Sequence, residues 1–553
     1  MVDLTRCQGY AQCAFLAPDV FRMQGDEALW YDPEPGDWQR DQVLRAAAAC
    51  PVQAMRVDGA ALSYASRPAI PAPRSDEDAF RRTGSIAIVG ASLAGLKAAD
   101  TLRRQGFTGS LTLIGDEAHE PYDRPPLSKQ VLEGWVPAER TALPEPAGLD
   151  AQWRLGVAAT GLDLGRKLVR LADGAEVGFD RLLIATGVRP RPWPNPAETA
   201  LDGVFVLDTR KDAAGVQQRL AAAPRRVLVI GGGFIGSEVA SVCRGLGLAV
   251  TVVERGPAPL VGALGRVIGA IAADMQRDHG VDLRCGVSVT ALEGDSAGRL
   301  HSAQLSDGTE LDVDVAIVAL GSLRNVEWLE GSGLAVGPWG LACDAGTRAF
   351  TSDAMITDDV FVAGDVARFP HPLYNYQFLS LAHWGNAVAQ AEIAAHNMIS
   401  SQTDRWAHLA IPSFWSTQFD TEIKSVGVPT FADEVVIAQG SAANRRFVAV
   451  YGYRGRVTGA VAFGQAKWLE FYQGLIERSA PFPPDFRGVD QPQERRPVPA
   501  GVPAKATFTD QATVVVTGHD PSERRAELVW RGRRPSARLP EQRKGRHAAG
   551  QRV

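Results

Sequence analysis

The stretch Val227-Leu-Val-Ile-Gly-Gly-Gly-Phe-Ile-Gly236 decides the fold. Its four leading apolar residues predict a buried strand, and the spacing G-x-G-x-x-G from Gly231 places a tight turn directly before a helix. In such a turn the backbone N–H groups and the helix dipole can hold a pyrophosphate. The segment therefore predicts a β-α unit that binds a dinucleotide.

A variant of this turn lies earlier in the chain. The apolar run Ile86-Ala-Ile-Val89 leads into Gly90-Ala-Ser-Leu-Ala-Gly95, in which Ser92 replaces the second glycine. Serine is still small enough for a phosphate to approach the backbone. Short runs of Val, Ile, Leu and Ala then alternate with helical patterns, which is typical of parallel sheets. We predict an α/β fold with two Rossmann-like dinucleotide-binding domains in tandem, the second inserted in the first.

An acidic residue ends the strand that follows each turn. Asp116 and Glu117 close the run LTLIGDE, and Glu254 closes AVTVVE. A carboxylate at this place accepts hydrogen bonds from ribose hydroxyls. Glu254 would also repel a 2′-phosphate, so NADH is favoured over NADPH. The adjacent Arg255 could pair with that phosphate, which keeps NADPH as the alternative.

Three of the six cysteines lie within the first 50 residues, at Cys7, Cys13 and Cys50. The spacing is that of a loop that wraps an iron–sulfur cluster, with Tyr10 where a fourth cysteine would stand, and three thiolates fit a [3Fe–4S] cluster. Zinc is disfavoured because a structural site needs four Cys or His ligands and no His occurs in this region. Three buried free cysteines would explain neither the spacing nor the Cys50-Pro51 pair.

Length and composition bound the remaining possibilities. A chain of 553 residues exceeds a single core. A hydrophobic content of 45%, 22% charged residues and a net charge of −5 favour neither nucleic-acid nor membrane binding. No apolar run approaches the roughly 18 residues that span a bilayer, and no export signal is evident, so a cytoplasmic protein is expected. The oligomeric state is left open.

Two resemblances refine these expectations. The segments CQGYAQC, LAPDVF and AAAACPVQAM resemble the single-cluster ferredoxins of bacterial cytochromes P450, over about 55 residues. Those ferredoxins begin with a full strand before the first cysteine, whereas only Met1 to Arg6 stand here, so a clipped first strand is expected. The segment EPYDRPPLSK at 120–129 is similar to the second flavin motif of the ferredoxin reductases of oxygenase and P450 systems.

The reductase resemblance extends over about 400 residues, through LLIATG at 182–187, VFVAGD at 360–365, HWGNA at 383–387 and PSFWSTQ at 412–418. It implies that FAD is bound, that Arg124 and Lys129 contact the flavin and that Trp384 lies beside its ring. It further implies that Asp365 holds the ribityl chain and that Glu238 forms an ion pair with Lys129. The chain departs from the family at Ala382, where Glu is common, and at Thr417, where Asp is common.

The predicted site residues fall into four sets. The flavin set is Gly90, Ser92, Ala94, Gly95, Asp116, Glu117, Arg124, Lys129, Thr186, Gly187, Gly364, Asp365 and Trp384. The nicotinamide set is Gly231, Gly233, Ile235, Gly236, Glu254 and Gly321. Lys129 and Glu238 are the predicted catalytic pair, and Cys7, Cys13 and Cys50 are the predicted cluster ligands.

The predicted organisation begins with a ferredoxin domain at 1–60 and a linker at 61–84, whose proline- and charge-rich text predicts an extended tether. The flavin domain occupies 85–200 and 321–405 and encloses the nicotinamide domain at 201–320. A small α+β domain follows at 406–484, with a hairpin about Arg454-Gly455. The polar, arginine-rich segment 485–553 is predicted to be disordered.

These features together predict an electron-transfer enzyme. NADH delivers two electrons as hydride whereas a cluster accepts one, so a flavin must stand between them. The expected path runs from NADH through FAD and the cluster to an external protein, a P450 or alternatively a non-haem Rieske-type oxygenase. A disulfide reductase is disfavoured because Cys243, Cys285 and Cys343 offer no close pair. An FAD- and NADH-dependent redox sensor and an NADH oxidase with a vestigial cluster are two further hypotheses.

Overall fold

The computed structural model describes residues 2–25, 27–50, 52, 54–55, 57, 75–485, 497–502, 508–517 and 525–530. Its α-helices are Gln12–Leu16, Arg40–Ala49, Ser75–Thr83, Leu93–Arg104, Gln130–Glu133, Pro196–Thr199, Arg210–Ala221, Phe234–Gly245, Val261–Asp278, Trp384–Met398 and Leu469–Glu477. None of these described helices has the length and apolar content needed to cross a membrane.

The flavin domain is built on a six-stranded sheet. In spatial order its strands are Arg348–Phe350, Ile356–Val362, Arg181–Ile184, Ser85–Val89, Ser110–Ile114 and Gln152–Arg154. All neighbours pair in parallel except the first two. Helices Leu93–Arg104 and Trp384–Met398 bury apolar side chains against this sheet, as expected for strands that are covered on their faces.

The nicotinamide domain is a five-stranded parallel sheet whose strands lie between Arg181–Ile184 and Arg348–Phe350 of the flavin sheet along the chain. Its order is Val204–Val206, Val315–Val318, Val227–Ile230, Val250–Glu254 and Asp282–Cys285. The predicted tandem arrangement with an inserted second domain is therefore confirmed.

Smaller antiparallel sheets complete the two domains. Three strands, Ala159–Asp163, Leu168–Leu171 and Glu176–Gly178, lie beside the flavin sheet, and Val289–Gly294, Leu300–Leu305 and Glu310–Asp312 form the counterpart in the nicotinamide domain. Strands Val188–Pro190 and Ser322–Arg324 pair with each other where the chain enters and leaves the nicotinamide domain. A further sheet has the order Val336–Gly337, Gly340–Ala342, Ala367–Pro370, Gln377–Leu379, Phe508–Thr517 and Arg525–Trp530.

The C-terminal domain is an antiparallel sheet of six strands with helix Leu469–Glu477 against it. Its order is Ser413–Gln418, Thr421–Gly427, Arg456–Phe463, Arg446–Tyr453, Glu434–Ser441 and Val498–Pro499. The predicted hairpin is present, with Arg454 at φ +48° and Gly455 at φ +73° in its two-residue turn. Positive φ at both turn positions matches the right-handed twist of the flanking strands.

The N-terminal domain is small. Strands Phe21–Gln24 and Ala28–Tyr31 form a hairpin, and helices Gln12–Leu16 and Arg40–Ala49 pack with it around one apolar cluster. Before the first cysteine, the described chain contributes a single bridge between Val2 and Met55.

Two expectations about the connecting segments are corrected. Residues 75–83 of the predicted tether form helix Ser75–Thr83. Its Phe80 ring lies 5.8 Å from that of Phe107 and under the Arg181 guanidinium, so apolar contact with the flavin domain orders a segment that its composition marks as polar. The predicted disordered segment likewise contains strands. Strands 498–499 and 508–517 pair with strands of the folded domains, and strand 525–530 pairs with 508–517. In these two segments, residues 61–74, 486–496, 503–507, 518–524 and 531–553 lie outside the described residues.

Candidate functional site

The Gly90 turn has the backbone geometry that its sequence predicts. Gly90 has φ +119°, and a Cβ there would fall on the carbonyl of Ala185, so only glycine fits. Its N–H donates to the Ile114 carbonyl at 2.8 Å. Gly95 lies directly against the Gly90 carbonyl. Gly95 therefore packs helix Leu93–Arg104 onto the turn and does not line the cavity beside it.

That cavity, of about 480 Å³, shares Arg124 and Asp365 with a second one of about 620 Å³. The first contains the predicted flavin residues Gly90, Ser92, Ala94, Asp116, Glu117, Thr186, Gly187 and Gly364, and the second contains Lys129, Glu238 and Trp384. A phosphate-binding turn at one end and an aromatic, charged chamber at the other fit an elongated dinucleotide such as FAD.

Arg124 clamps the wall of this cavity. Its guanidinium donates to Glu117 Oε1 at 2.8 Å and to the Asp208 backbone carbonyl at 2.7 Å, and it lies 5.1 Å from the Tyr122 ring. The Tyr122 hydroxyl donates to Glu117 Oε2 at 2.6 Å. Burial raises the pKa of Asp208, and Arg124 opposes the shift. Sequence reasoning missed Asp208, although its place after strand Val204–Val206 marks it as a residue at a sheet edge.

The predicted ion pair between Lys129 and Glu238 is present. Lys129 Nζ lies 2.7 Å from Glu238 Oε2, and both side chains are buried. The hydroxyls of Ser128 and Ser416 donate to the same carboxylate at 2.5 and 2.7 Å. A buried carboxylate needs partners for its remaining lone pairs, and the two serines supply them here. That Lys129 contacts the flavin stays a prediction.

Asp365 lies at the junction of the two cavities. Burial raises the pKa of its carboxyl to about 6, against the opposing influence of Arg324 and Arg124. The preceding Gly364 N–H donates to Gln390 Oε1 at 2.9 Å, which holds the turn. A buried carboxylate without its own tight ion pair is suited to accept hydrogen bonds from the hydroxyls of a bound ligand.

Trp384 lines the larger cavity at the start of helix Trp384–Met398. Its indole N–H donates to Asp123 Oδ1 at 3.1 Å, and its ring lies edge-on to Trp415 at 6.2 Å. Ala382, at the first departure from the family pattern, also lines this cavity, whereas Thr417 is buried in its strand and does not. The importance of Asp123 was not predicted.

The second glycine turn repeats the first. Gly231 has φ +111° and faces the Ala319 carbonyl, and Gly236 lies against the Gly231 carbonyl. A cavity of about 1040 Å³ opens beside it, lined by Gly231, Gly233 and Gly321. Gly233 and Gly321, together with Ile235, also line the cavity of about 620 Å³ that contains Lys129 and Trp384, the proposed flavin cavity. The two cavities therefore meet. Gly236 instead packs its helix against the turn.

Glu254 lines the cavity of about 1040 Å³ beside the second turn. Its carboxylate accepts from the N–H groups of Gly232 at 2.7 Å and Gly256 at 2.5 Å. Each carboxylate oxygen has two acceptor sites, so both can still receive a ribose hydroxyl. Arg255 and Arg191 line the same cavity. The alternative of a 2′-phosphate partner thus has a structural basis, and the preference for NADH stays a prediction.

The three N-terminal cysteines line one common cavity, with Tyr10 at its exposed rim. Burial raises the pKa of the Cys7 thiol to about 11, with Lys424 opposing, and burial also raises that of Cys13. Within the described residues, no three His, Cys, Asp or Glu side chains are arranged to hold a metal ion. Thiolates on one zinc ion must lie within about 4.6 Å of one another, given bonds of roughly 2.3 Å. The ligands of an iron–sulfur cluster each bind a different iron, so that limit does not apply to them.

Residues 84–391 match the pyridine nucleotide-disulphide oxidoreductases, which is more than half of the chain. The chain belongs to this family. Residues 413–491 match the reductase C-terminal domain, and residues 1–57 match a 4Fe-4S single cluster domain. Both resemblances drawn from the sequence are confirmed, as is the fold class. The matches support a flavin, a nicotinamide nucleotide and an iron–sulfur cluster.

Similar proteins are reductases of electron-transfer chains. The probable ferredoxin reductase CtmF of Castellaniella defragrans is 37% identical over 67% of this chain and 88% of that protein. The biphenyl dioxygenase system ferredoxin–NAD(+) reductase component of Paraburkholderia xenovorans is 32% identical over 71% and 93%. The crystal structure of the covalent putidaredoxin reductase–putidaredoxin complex matches with a TM-score of 0.68 and 30% identity, over 72% of this chain and 94% of that chain.

Proposed function

We propose that this protein is an NADH-dependent ferredoxin reductase that reduces its own N-terminal [3Fe–4S] domain, which passes single electrons to an external oxygenase. The observation that carries the proposal is the position of Trp415. Its side chain lines the flavin cavity and also packs against the apolar cluster that contains Cys7 and Cys13. The two redox sites therefore adjoin within one chain.

The bound groups would supply complementary chemistry, since a flavin accepts a hydride and can release its electrons singly to a cluster. The residues of the chain bind and orient. Glu254 would receive the adenosine ribose, the Gly231 turn would hold the pyrophosphate, and the shared wall at Gly233 and Gly321 would bring the nicotinamide to the flavin cavity. Lys129, paired with Glu238, would present a positive charge toward the flavin edge.

The family of the N-terminal domain is described as a 4Fe-4S single cluster domain. The presence of three cysteines supports a [3Fe–4S] cluster in this chain instead. The fourth position of the loop is Tyr10, whose side chain is 53% exposed and whose hydroxyl donates to Gln8. A phenol directed to a neighbouring amide leaves three thiolates for the irons. Iron analysis and low-temperature EPR test this assignment. One S = 1/2 centre in the oxidised protein supports it, and stoichiometric zinc would overturn it.

For the terminal acceptor we favour a cytochrome P450, because the N-terminal motifs resemble ferredoxins that serve P450s. A Rieske-type oxygenase is the second candidate, since a 32% identical relative is the reductase component of a biphenyl dioxygenase system. Reconstitution with one oxygenase of each class and NADH would distinguish them through the rate of product formation. Turnover with either class excludes a slow redox sensor.

The electron path is tested with Cys50→Ser, which removes one proposed ligand. We expect cytochrome c reduction to collapse, whereas ferricyanide, which can take electrons from the flavin, is still reduced by NADH. The matched control is Cys285→Ser, a partly exposed thiol outside the cysteine cavity. Undiminished cytochrome c reduction in a cluster-free variant would mean that the flavin reduces partners directly.

A further inference from the structure

The N-terminal domain, residues 2–57, is docked on the reductase by polar contacts around its edge. Arg22 forms an ion pair with Glu133 and lies 4.8 Å from the Trp135 ring. Gln24 donates to Asp420 at 2.8 Å. Lys424, which is buried beneath this rim, donates to the Cys7 carbonyl. The exposed pairs at this rim contribute little to stability individually.

The centre of the contact is different in kind. The Tyr31 hydroxyl, on the N-terminal domain, donates to Asp123 Oδ2 of the reductase. Asp123 Oδ1 accepts from the indole N–H of Trp384, which lines the flavin cavity. Tyr31 and Asp123 are each only 3% exposed. One buried carboxylate therefore joins a side chain of the N-terminal domain to a side chain of the flavin site.

Asp123 depends on both donors. Burial raises the pKa of its carboxyl, and the hydrogen bonds from Tyr31 and Trp384 oppose that shift. A buried carboxylate that loses a donor must find another partner or take up a proton. Either response changes the acceptor that holds the Trp384 indole. Docking or release of the N-terminal domain can therefore alter the flavin cavity through the Tyr31–Asp123 and Asp123–Trp384 hydrogen bonds.

We propose that Tyr31 is a positioning residue through which the docked N-terminal domain holds Trp384 in place at the flavin cavity. The proposal rests on the proposed flavin site. It means that the flavin cavity is complete only when the N-terminal domain is docked. Electron transfer from the flavin to the cluster is then fastest while the two redox sites adjoin. The contacts at the rim act together to dock the domain, whereas Tyr31 sets the position of the tryptophan.

The test is Tyr31→Phe in the full chain loaded with its cofactors, since this change removes only the hydroxyl. We expect cytochrome c reduction to fall roughly tenfold, the loss of one hydrogen bond to a charged group, while NADH–ferricyanide turnover stays within about twofold. Flavin emission should rise, because a tryptophan held beside the ring quenches it. Tyr374→Phe is the matched control, since that buried hydroxyl donates to the Thr458 carbonyl away from the interface.

Asp123→Asn provides the second arm. If both residues act through one hydrogen bond, the double variant should lose no more than the larger single variant. The proposal is overturned if Tyr31→Phe has the flavin emission and the cytochrome c reduction rate of the wild type. It is also overturned if Tyr374→Phe changes both quantities as much as Tyr31→Phe does. If Cys50→Ser still abolishes cytochrome c reduction in that case, the proposed function stands. If the wild type reduces no cytochrome c at all, the proposed function fails, and flavin emission still decides the role of Tyr31.

Discussion

The two glycine turns share one backbone design but hold their acidic residues differently. Glu117 of the first site is bound by the side chains of Arg124 and Tyr122, both from the segment 120–129. Glu254 of the second site is bound by backbone N–H groups of Gly232 and Gly256. Side chains that follow Glu117 by a few residues hold the first acid, whereas backbone groups of the adjoining turns hold the second. The contrast fits a retained flavin and a nucleotide that exchanges in every turnover.

The largest expected effect on nucleotide binding comes from adding a side chain where the helix packs against the glycine turn in each site. Gly95→Val and Gly236→Val place a side chain on the carbonyl of the first glycine of the turn. Overpacking of this kind costs about 1–3 kcal/mol, which is roughly a 10- to 100-fold loss of affinity. We expect Gly95→Val to lose flavin absorbance, and Gly236→Val to keep its flavin but to reduce it slowly with NADH.

Gly245→Val is the matched control, because Gly245 ends the same helix as Gly236 and has nothing within 4 Å of an added Cβ. Equal flavin loss in both test variants would show that the two sites fold as one unit and would break the comparison.

The next effect concerns the choice of nicotinamide. Glu254→Gln removes the charge that repels a 2′-phosphate but keeps an acceptor for the backbone, so the preference for NADH should narrow by roughly tenfold, as for one hydrogen bond to a charged group. Steady-state kcat/KM with NADH and NADPH measures it. Arg255→Ala is the companion variant and should weaken only NADPH. A wild-type preference for NADPH would contradict the assignment of Glu254.

The smallest effect is a pH dependence confined to the flavin site. In the flavin-free protein the pKa of Asp365 is about 6, raised by burial. Flavin hydroxyls that donate to the carboxylate favour its charged form, so binding should release a proton and affinity should fall as the pH drops below about 6. Titration of the flavin-free protein with FAD between about pH 5 and about pH 8 measures this, because that range brackets the expected transition. Asp365→Asn should bind FAD more weakly and without that slope.

Residues whose roles depend on local backbone geometry were predictable from the sequence. Gly90 and Gly231 are needed where the chain has positive φ against a neighbouring carbonyl, and Glu254 follows its turn at a fixed strand length. The same holds for the Arg454-Gly455 hairpin. A family motif added Lys129 and Glu238, whose 2.7 Å contact joins segments more than a hundred residues apart.

The tertiary structure alone decided what depends on contacts between distant segments. Asp208 lies in the cavity wall because its carbonyl accepts from Arg124, and Asp123 accepts from both Tyr31 and Trp384. Helix Ser75–Thr83 formed in a polar segment because Phe80 found an apolar partner in the flavin domain. Short-range patterns encode strands, turns and phosphate-binding loops, because these arise from backbone sterics and local hydrogen bonds. The partner of a buried polar or aromatic side chain is chosen by packing across domains, which no local pattern records.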